Sequence, residues 1–351
     1  MLEPAPLKIF VDTKGSWLRW IRSLAFLPLT ISAMGQSPPT RMGFLELNGF
    51  SGSWVLHGDL FDQTSGTVAR AEDSLQQARG QIKRSEFAAA EQVLRTFLQR
   101  EPTSADGLYL LGEVLMRRDQ PKDSLRVFTE AAAERRPTGE ELRLVGLDYV
   151  LLQDFADAIR WLKQATDLSP DDADTWYSLG RAQYSNGDYG GAETSFRRVL
   201  TLDSRSVKAE NNLGLTLASQ NQPDEAMEAY RKAEALQQGS ASQSEQPLLN
   251  LGLLLLDRNQ PQEATEKLAR AAAIAPSCAQ CQEGFGQALL ALNRLTEAEA
   301  AMEKAVALEP KNPRFHYVLG RAYKQSGKVE KSRIELQKSA ELYGSHSTPV
   351  Q

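Results

Sequence analysis

The sequence predicts an all-α solenoid built from antiparallel helix pairs, and three observations carry that expectation. Gly112, Gly146, Gly180 and Gly214 recur every 34 residues; Gly252 follows after 38, and Gly286 and Gly320 return to 34. Behind each glycine runs a fixed train of side chains. A small residue stands twelve positions on (Ser124, Ala158, Ala192, Ala226, Ala264, Ala298, Ser332), and a large one four beyond it (Phe128, Leu162, Phe196, Tyr230, Leu268, Met302, Leu336). Turn-forming residues fall between the two groups. Self-similarity at a period of this length identifies stacked supersecondary units before any local propensity is weighed.

Within each block the first helix comes first. Trp176, Leu179, Gly180 and Gln183 lie at i, i+3, i+4 and i+7, which is one helical face. A large apolar residue precedes six of the seven glycines, and Val145 fills the remaining place. The turn follows: Ser185-Asn186-Gly187-Asp188 here, and Asp119-Gln120-Pro121, Asn221-Gln222-Pro223 or Asn259-Gln260-Pro261 elsewhere. Proline fixes φ for the opening turn of the next helix, where its missing N–H costs nothing. The second helix places Ala192, Phe196 and Val199 on one face. Pro102, Pro170, Pro276 and Pro310 close their blocks.

The glycines need a reason. Each costs about 0.5–1 kcal/mol relative to alanine in a helix interior. Exposed to solvent they would return nothing for that cost. Close approach of the second helix to the first at each glycine, with the small residue facing it, accounts for them.

The pattern Trp176-x2-Leu179-Gly180-x2-Gln183…Ala192-x3-Phe196…Ala resembles the tetratricopeptide repeat family. The resemblance covers 71–346 in eight blocks: 71–104, 105–138, 139–172, 173–206, 207–240, 245–278, 279–312 and 313–346. Block 71–104 departs from it, with Gln77-Ala78 where Leu-Gly is expected, and is read as an N-terminal cap. Gln238 and Gly239 replace the closing proline of their block, and 239–244 is a small polar insertion, which is thermodynamically cheap. The resemblance implies a right-handed superhelix with a concave groove lined by the first helix of each pair. Stability would be spread along neighbour contacts.

The remainder is short. Residues 1–35 carry a net +2 within a chain of net −5, leaving the body mildly acidic and without a basic stripe for a phosphate backbone, so nucleic-acid binding is not expected. Arg19 and Arg22 precede the apolar run 24–31, followed by Ala33-Met34-Gly35. That order of basic, apolar and small residues reads as a signal peptide over 1–35, and predicts export to a bacterial periplasm or secretion, with a cytoplasmic location as the alternative. No apolar stretch reaches 18 residues, so no transmembrane span is expected. Residues 36–70 read as a linker and 347–351 as a tail.

With the Leu-Gly face turned inward, the opposite face of each first helix lines the groove. Leu249, Leu253 and Leu256, with Leu215, Leu290, Leu147, Val150 and Leu151, form an apolar set there, and Gln246 shares the face. Apolar side chains on an exposed groove predict a protein or peptide partner, and burial by neighbouring helices is the alternative. Asn212 and Asn250 occupy equivalent places in adjacent blocks; the resemblance implies that such asparagines bond a bound peptide's backbone. The basic cluster with which some members of the family clamp a terminal carboxylate is not matched around Lys208. Arg143, Arg181, Arg314 and Arg321, with Tyr109, Tyr177 and Tyr317, are the residues able to read acidic or polar groups elsewhere in the groove.

Cys278 and Cys281 are the two cysteines of the chain, in a CxxC spacing at a predicted helix start, where the helix dipole lowers a thiol pKa. A thioredoxin-like enzyme would need a βαβ setting, which is absent. Covalent haem would need histidine where Gln282 stands, and zinc would need two further ligands that His57, His316 and His346 do not supply locally. A disulfide and two packed thiols both fit. Neither GxSxG nor GxxxxGK[ST] occurs, and no cofactor or metal is expected. The sequence therefore reads as a non-catalytic binding scaffold that organises an exported or envelope assembly. A thiol-active factor using Cys278 and Cys281, and a self-associating structural module, are the alternatives.

Overall fold

In a computed structural model the described residues are 72–240 and 242–346. The signal peptide expected at 1–35, the linker 36–70 and the tail 347–351 lie outside them. The described residues form sixteen helices in consecutive pairs, eight repeats of an all-α solenoid. The first helices are α1 (72–83), α3 (Ala105–Arg117), α5 (Gly139–Leu151), α7 (Ala173–Ser185), α9 (Val207–Ser219), α11 (Gln246–Asp257), α13 (Ala279–Ala291) and α15 (Pro313–Gln325). Their partners are α2 (Phe87–Leu98), α4 (Pro121–Glu134), α6 (Phe155–Leu168), α8 (Tyr189–Leu202), α10 (Pro223–Gln237), α12 (Pro261–Ile274), α14 (Leu295–Leu308) and α16 (Val329–His346).

The glycines do what their cost requires. A Cβ added at Gly112 would meet Phe128 Cε1 at 2.7 Å, at Gly180 Phe196 Cε1 at 2.8 Å, and at Gly214 Tyr230 Cε1 at 2.5 Å. Gly146 meets Leu162, Gly252 Leu268, Gly286 Met302 and Gly320 Leu336 in the same way. In all seven it is the large residue sixteen positions on that sits over the glycine. The small residue twelve positions on is buried beside it: Ser124 and Ser332 donate to the carbonyls of Gly112 and Gly320 at 2.8 Å. In the first repeat Ala78 takes the glycine's place and is fully buried.

The turn inside each pair is one motif with changing letters. Ser85, Asp119, Gln153, Gly187, Asn221, Asn259, Asn293 and Gly327 all have positive φ, between 56° and 78°. Each donates from its N–H to the residue three before it, and the next residue donates back five positions, as Gln120 does to Leu115 at 2.9 Å. This is the Schellman closure of a helix by a left-handed residue. The last residue of the turn then caps the second helix, as Asp154 and Asp188 do through their side chains. Between repeats, the caps of the next first helix are Ser104, Thr138, Asp172, Ser206, Cys278 and Asn312. Thr138 and Glu141 complete a capping box. At the insertion after α10 the buried Gln237 takes over, giving its amide N–H to Ser244 O and accepting from Ser244 N, both at 2.9 Å.

Each second helix packs on the following first helix, and from α3 to α15 every first helix also touches the next first helix. No two second helices touch among the described residues. The buried side chains follow this chain of contacts as a series of clusters, with no single centre.

Candidate binding surface

The shared first-helix face is where the sequence places a partner, and the structure divides the candidates. Leu215, Leu253 and Leu256 are half-buried along the edge of the core. Leu290 is likewise half-buried, and Leu151 is 45% exposed. Leu249 is a correction: expected on the open face, it is only 2% exposed and belongs to the core. The reason is Gly284, a second glycine in α13. A Cβ there would lie 3.3 Å from Leu253 Cδ2 and 3.7 Å from Leu249 Cδ1. Without a side chain at Gly284, α13 descends onto α11 and covers Leu249.

Asn212 and Asn250 are engaged within the chain. Asn250 Nδ2 donates to Asn211 Oδ1 at 3.0 Å, joining α11 to α9. Asn212 Nδ2 donates to Tyr177 Oη at 3.1 Å and to Lys208 O at 2.8 Å. Their amide donors therefore brace successive first helices, a role no spacing revealed.

The charged and aromatic candidates also separate. Tyr109 is buried, against the expectation that it faces the groove: its hydroxyl donates to Arg135 O at 2.7 Å, and the Arg135 guanidinium lies 4.5 Å from the ring centre. Burial pushes the Tyr109 phenol up to about 12. Arg143 is largely covered, 3.8 Å from Glu140 and 4.0 Å from Asp172. Beside it, burial raises the Glu113 carboxyl, with Arg117 opposing the effect. Arg314 is held by buried Glu283 at 3.1 Å. Arg181 and Arg321 remain exposed, and Arg321 lies over Tyr317, itself 48% exposed. The surface thus offers a half-buried apolar band on α9, α11 and α13, and a cationic, aromatic end on α15.

Matches to protein-family models decide the kind of molecule. A tetratricopeptide repeat model matches residues 75–140, 184–241, 249–313 and 283–346, and a second TPR repeat model matches 146–187. The chain belongs to the tetratricopeptide repeat family. A peroxisomal targeting signal receptor from Kluyveromyces lactis is 34% identical over 77 residues, which are 22% of this chain and 14% of that protein. Among solved folds, a tetratricopeptide repeat protein from Parabacteroides merdae superposes with a TM-score of 0.56 at 16% identity, over 72% of this chain and 98% of that one. Pseudomonas aeruginosa pilF gives 0.53 at 19% identity, over 62% and 97%. PilW, a type IV pilus biogenesis factor, gives 0.51 at 19%, over 56% and 90%. At these identities the likeness is one of fold.

The cysteines form an intrahelical-end pair. Cys278 and Cys281 are joined as a disulfide across the start of α13, with Cα atoms 5.2 Å apart. Cys278 Sγ accepts the Cys281 N–H at 3.1 Å, so the sulfur also caps the helix. Cys281 is fully buried in the core shared with α11 and α12. Among the described residues no group of three or more metal-ligating side chains occurs, and no helix is long and apolar enough to cross a membrane.

Proposed function

We propose that this array is a non-catalytic scaffold that holds a protein or peptide segment along its first-helix face, seated on the apolar band of Leu215, Leu253 and Leu256. One observation carries the reading. Successive first helices touch and present one continuous face, yet side chains that could bury fully stay half-open along it. Tetratricopeptide repeat proteins bind peptides and proteins, which fits a face of this kind. Tyr317 and Arg321 at the α15 end suit a partner that carries acidic or polar groups beyond its apolar part. An exported or envelope role follows from the basic, apolar, small order of residues 1–35. It also fits the pilus-related names of two proteins that share the fold.

The test is a paired pull-down with the full chain and its Leu253→Glu/Leu256→Glu variant, each checked for equal helicity by circular dichroism. A partner held by the first and lost from the second supports the reading. A partner held equally by both moves the site away from this face. For location, a fusion of residues 1–35 to a reporter that stays in the cytosol overturns export.

A further inference from the structure

One buried acid has no part in the binding surface. Asp148, on α5, is 0% exposed, and its Oδ1 has no hydrogen-bond partner. Its Oδ2 lies 2.6 Å from Ser124 Oγ, which is itself fully buried and lies 2.8 Å from Gly112 O. The three residues sit on α5, α4 and α3, so one string of oxygens ties the second repeat to the third.

A serine hydroxyl has a single hydrogen, and a carbonyl oxygen only accepts. If Ser124 gives its hydrogen to Asp148, the 2.8 Å contact with Gly112 O sets two acceptors against each other. If Ser124 gives it to Gly112 O, Asp148 Oδ2 must carry a proton and donate to Ser124. Only the second arrangement satisfies both contacts. It also leaves Oδ1 as a neutral carbonyl oxygen, which is far cheaper to bury unpartnered than a carboxylate oxygen. We propose that Asp148 is a neutral carboxylic acid whose proton closes the seam between the second and third repeats, making that seam a pH-sensitive hinge.

The charged groups on the surrounding elements do not offset this. Glu113 pairs with Arg117 on α3, Asp123 with Arg126 on α4 and Asp157 with Arg160 on α6. On α7, Asp174 and Arg181 face solvent. On α5 itself Glu140 is near Arg143, and Glu141 pairs with Arg135. Burial alone drives the Asp148 carboxyl up, to about 8, against a small opposing effect of Ser124. The equivalent triplets elsewhere are Gly146/Ala158/Ala182, Gly252/Ala264/Ala288 and Gly286/Ala298/Ala322, which hold no ionisable group. The device is therefore confined to one seam of the stack.

The sign is fixed by the direction of the shift. Above the unfolded pKa of about 3.9 the unfolded chain loses this proton while the folded chain keeps it, so the seam loses stability as pH rises toward the folded value. Above that value the seam holds a buried, uncompensated carboxylate and opens more often.

The experiment is hydrogen exchange on the full chain at about pH 6 and about pH 9.5, bracketing the folded value, with α3–α5 compared to α13–α15 in the same sample. That ratio removes the pH dependence of intrinsic exchange. In the wild type the ratio rises severalfold with pH; in Asp148→Ala, which copies the other seams, it stays flat. A flat ratio in the wild type, or an equal rise in the variant, overturns the proposal. Infrared spectra of the wild type minus Asp148→Asn give a check that needs no cavity-forming change. The carbonyl band of a neutral carboxylic acid is expected near neutral pH and lost at alkaline pH. Its absence at neutral pH overturns the proposal.

Discussion

Two seams of the array meet the same packing demand with different chemistry. At one, Gly252, Ala264 and Ala288 bring three small groups together, with both alanines fully buried. At the other, Gly112, Ser124 and Asp148 form a polar string with no exposure at the serine or the acid. The glycine in each case lies under a large residue, Leu268 or Phe128, at nearly the same distance. The glycine and the residue over it therefore set how closely the two helices of a pair approach. What fills the seam to the next repeat is a separate choice, and it decides whether the seam responds to pH.

That division can be broken first at the large residue. Phe196 is fully buried over Gly180, so Phe196→Ala should cost about 3–5 kcal/mol by lost burial plus cavity. Urea denaturation followed by circular dichroism measures it, and a loss below about 1 kcal/mol would show that the contact does not organise the repeat. The reverse change comes next. Gly214→Ala forces a methyl to within 2.5 Å of Tyr230, and should cost about 1–3 kcal/mol through overpacking, although alanine is the better helix former. An alanine variant as stable as wild type would refute the close-approach account of the glycines.

The seam chemistry predicts a smaller, conditional effect. Between the unfolded pKa of about 3.9 and the folded value of about 8, Asp148 removes up to about 1.4 kcal/mol of stability per pH unit as pH rises. Asp148→Ala should flatten that slope and be most stabilising, relative to wild type, in alkaline solution. Smallest of all, Gln153 holds φ at +58° at the turn position where Gly187 and Gly327 stand in other repeats. Gln153→Gly relieves the left-handed strain and should gain about 0.5–1 kcal/mol after the glycine's own entropy is set against it. A loss of stability would mean that the Gln153 side chain makes a contact worth more than the strain.

Much of this architecture is legible in the sequence because it repeats. Seven glycines at one spacing reveal the pairs, and their cost reveals the close approach. The left-handed turn residue was equally periodic, but serine, aspartate, glutamine, asparagine and glycine all occupy it, so no single letter announces it. The binding face was harder to read. Helical spacing shows which residues share a face, and cannot show how far the next first helix covers it. Leu249 is buried for that reason, and the one available signal was Gly284, an additional helical glycine outside the 34-residue register. Asn212 and Asn250 looked free for the same cause: Tyr177 and Asn211 lie a full repeat away in sequence. Asp148 stands where alanine, threonine or leucine occurs in other repeats, and only burial reveals its state.

The central functional claim is that the first-helix face is the working surface. Once a partner has been captured, hydrogen exchange of the array with and without it tests that claim most directly. Protection gained on α9, α11 and α13, with α10, α12 and α14 unchanged, is the predicted result. Protection gained only on the second helices would contradict the account and place the partner on the opposite side of the stack.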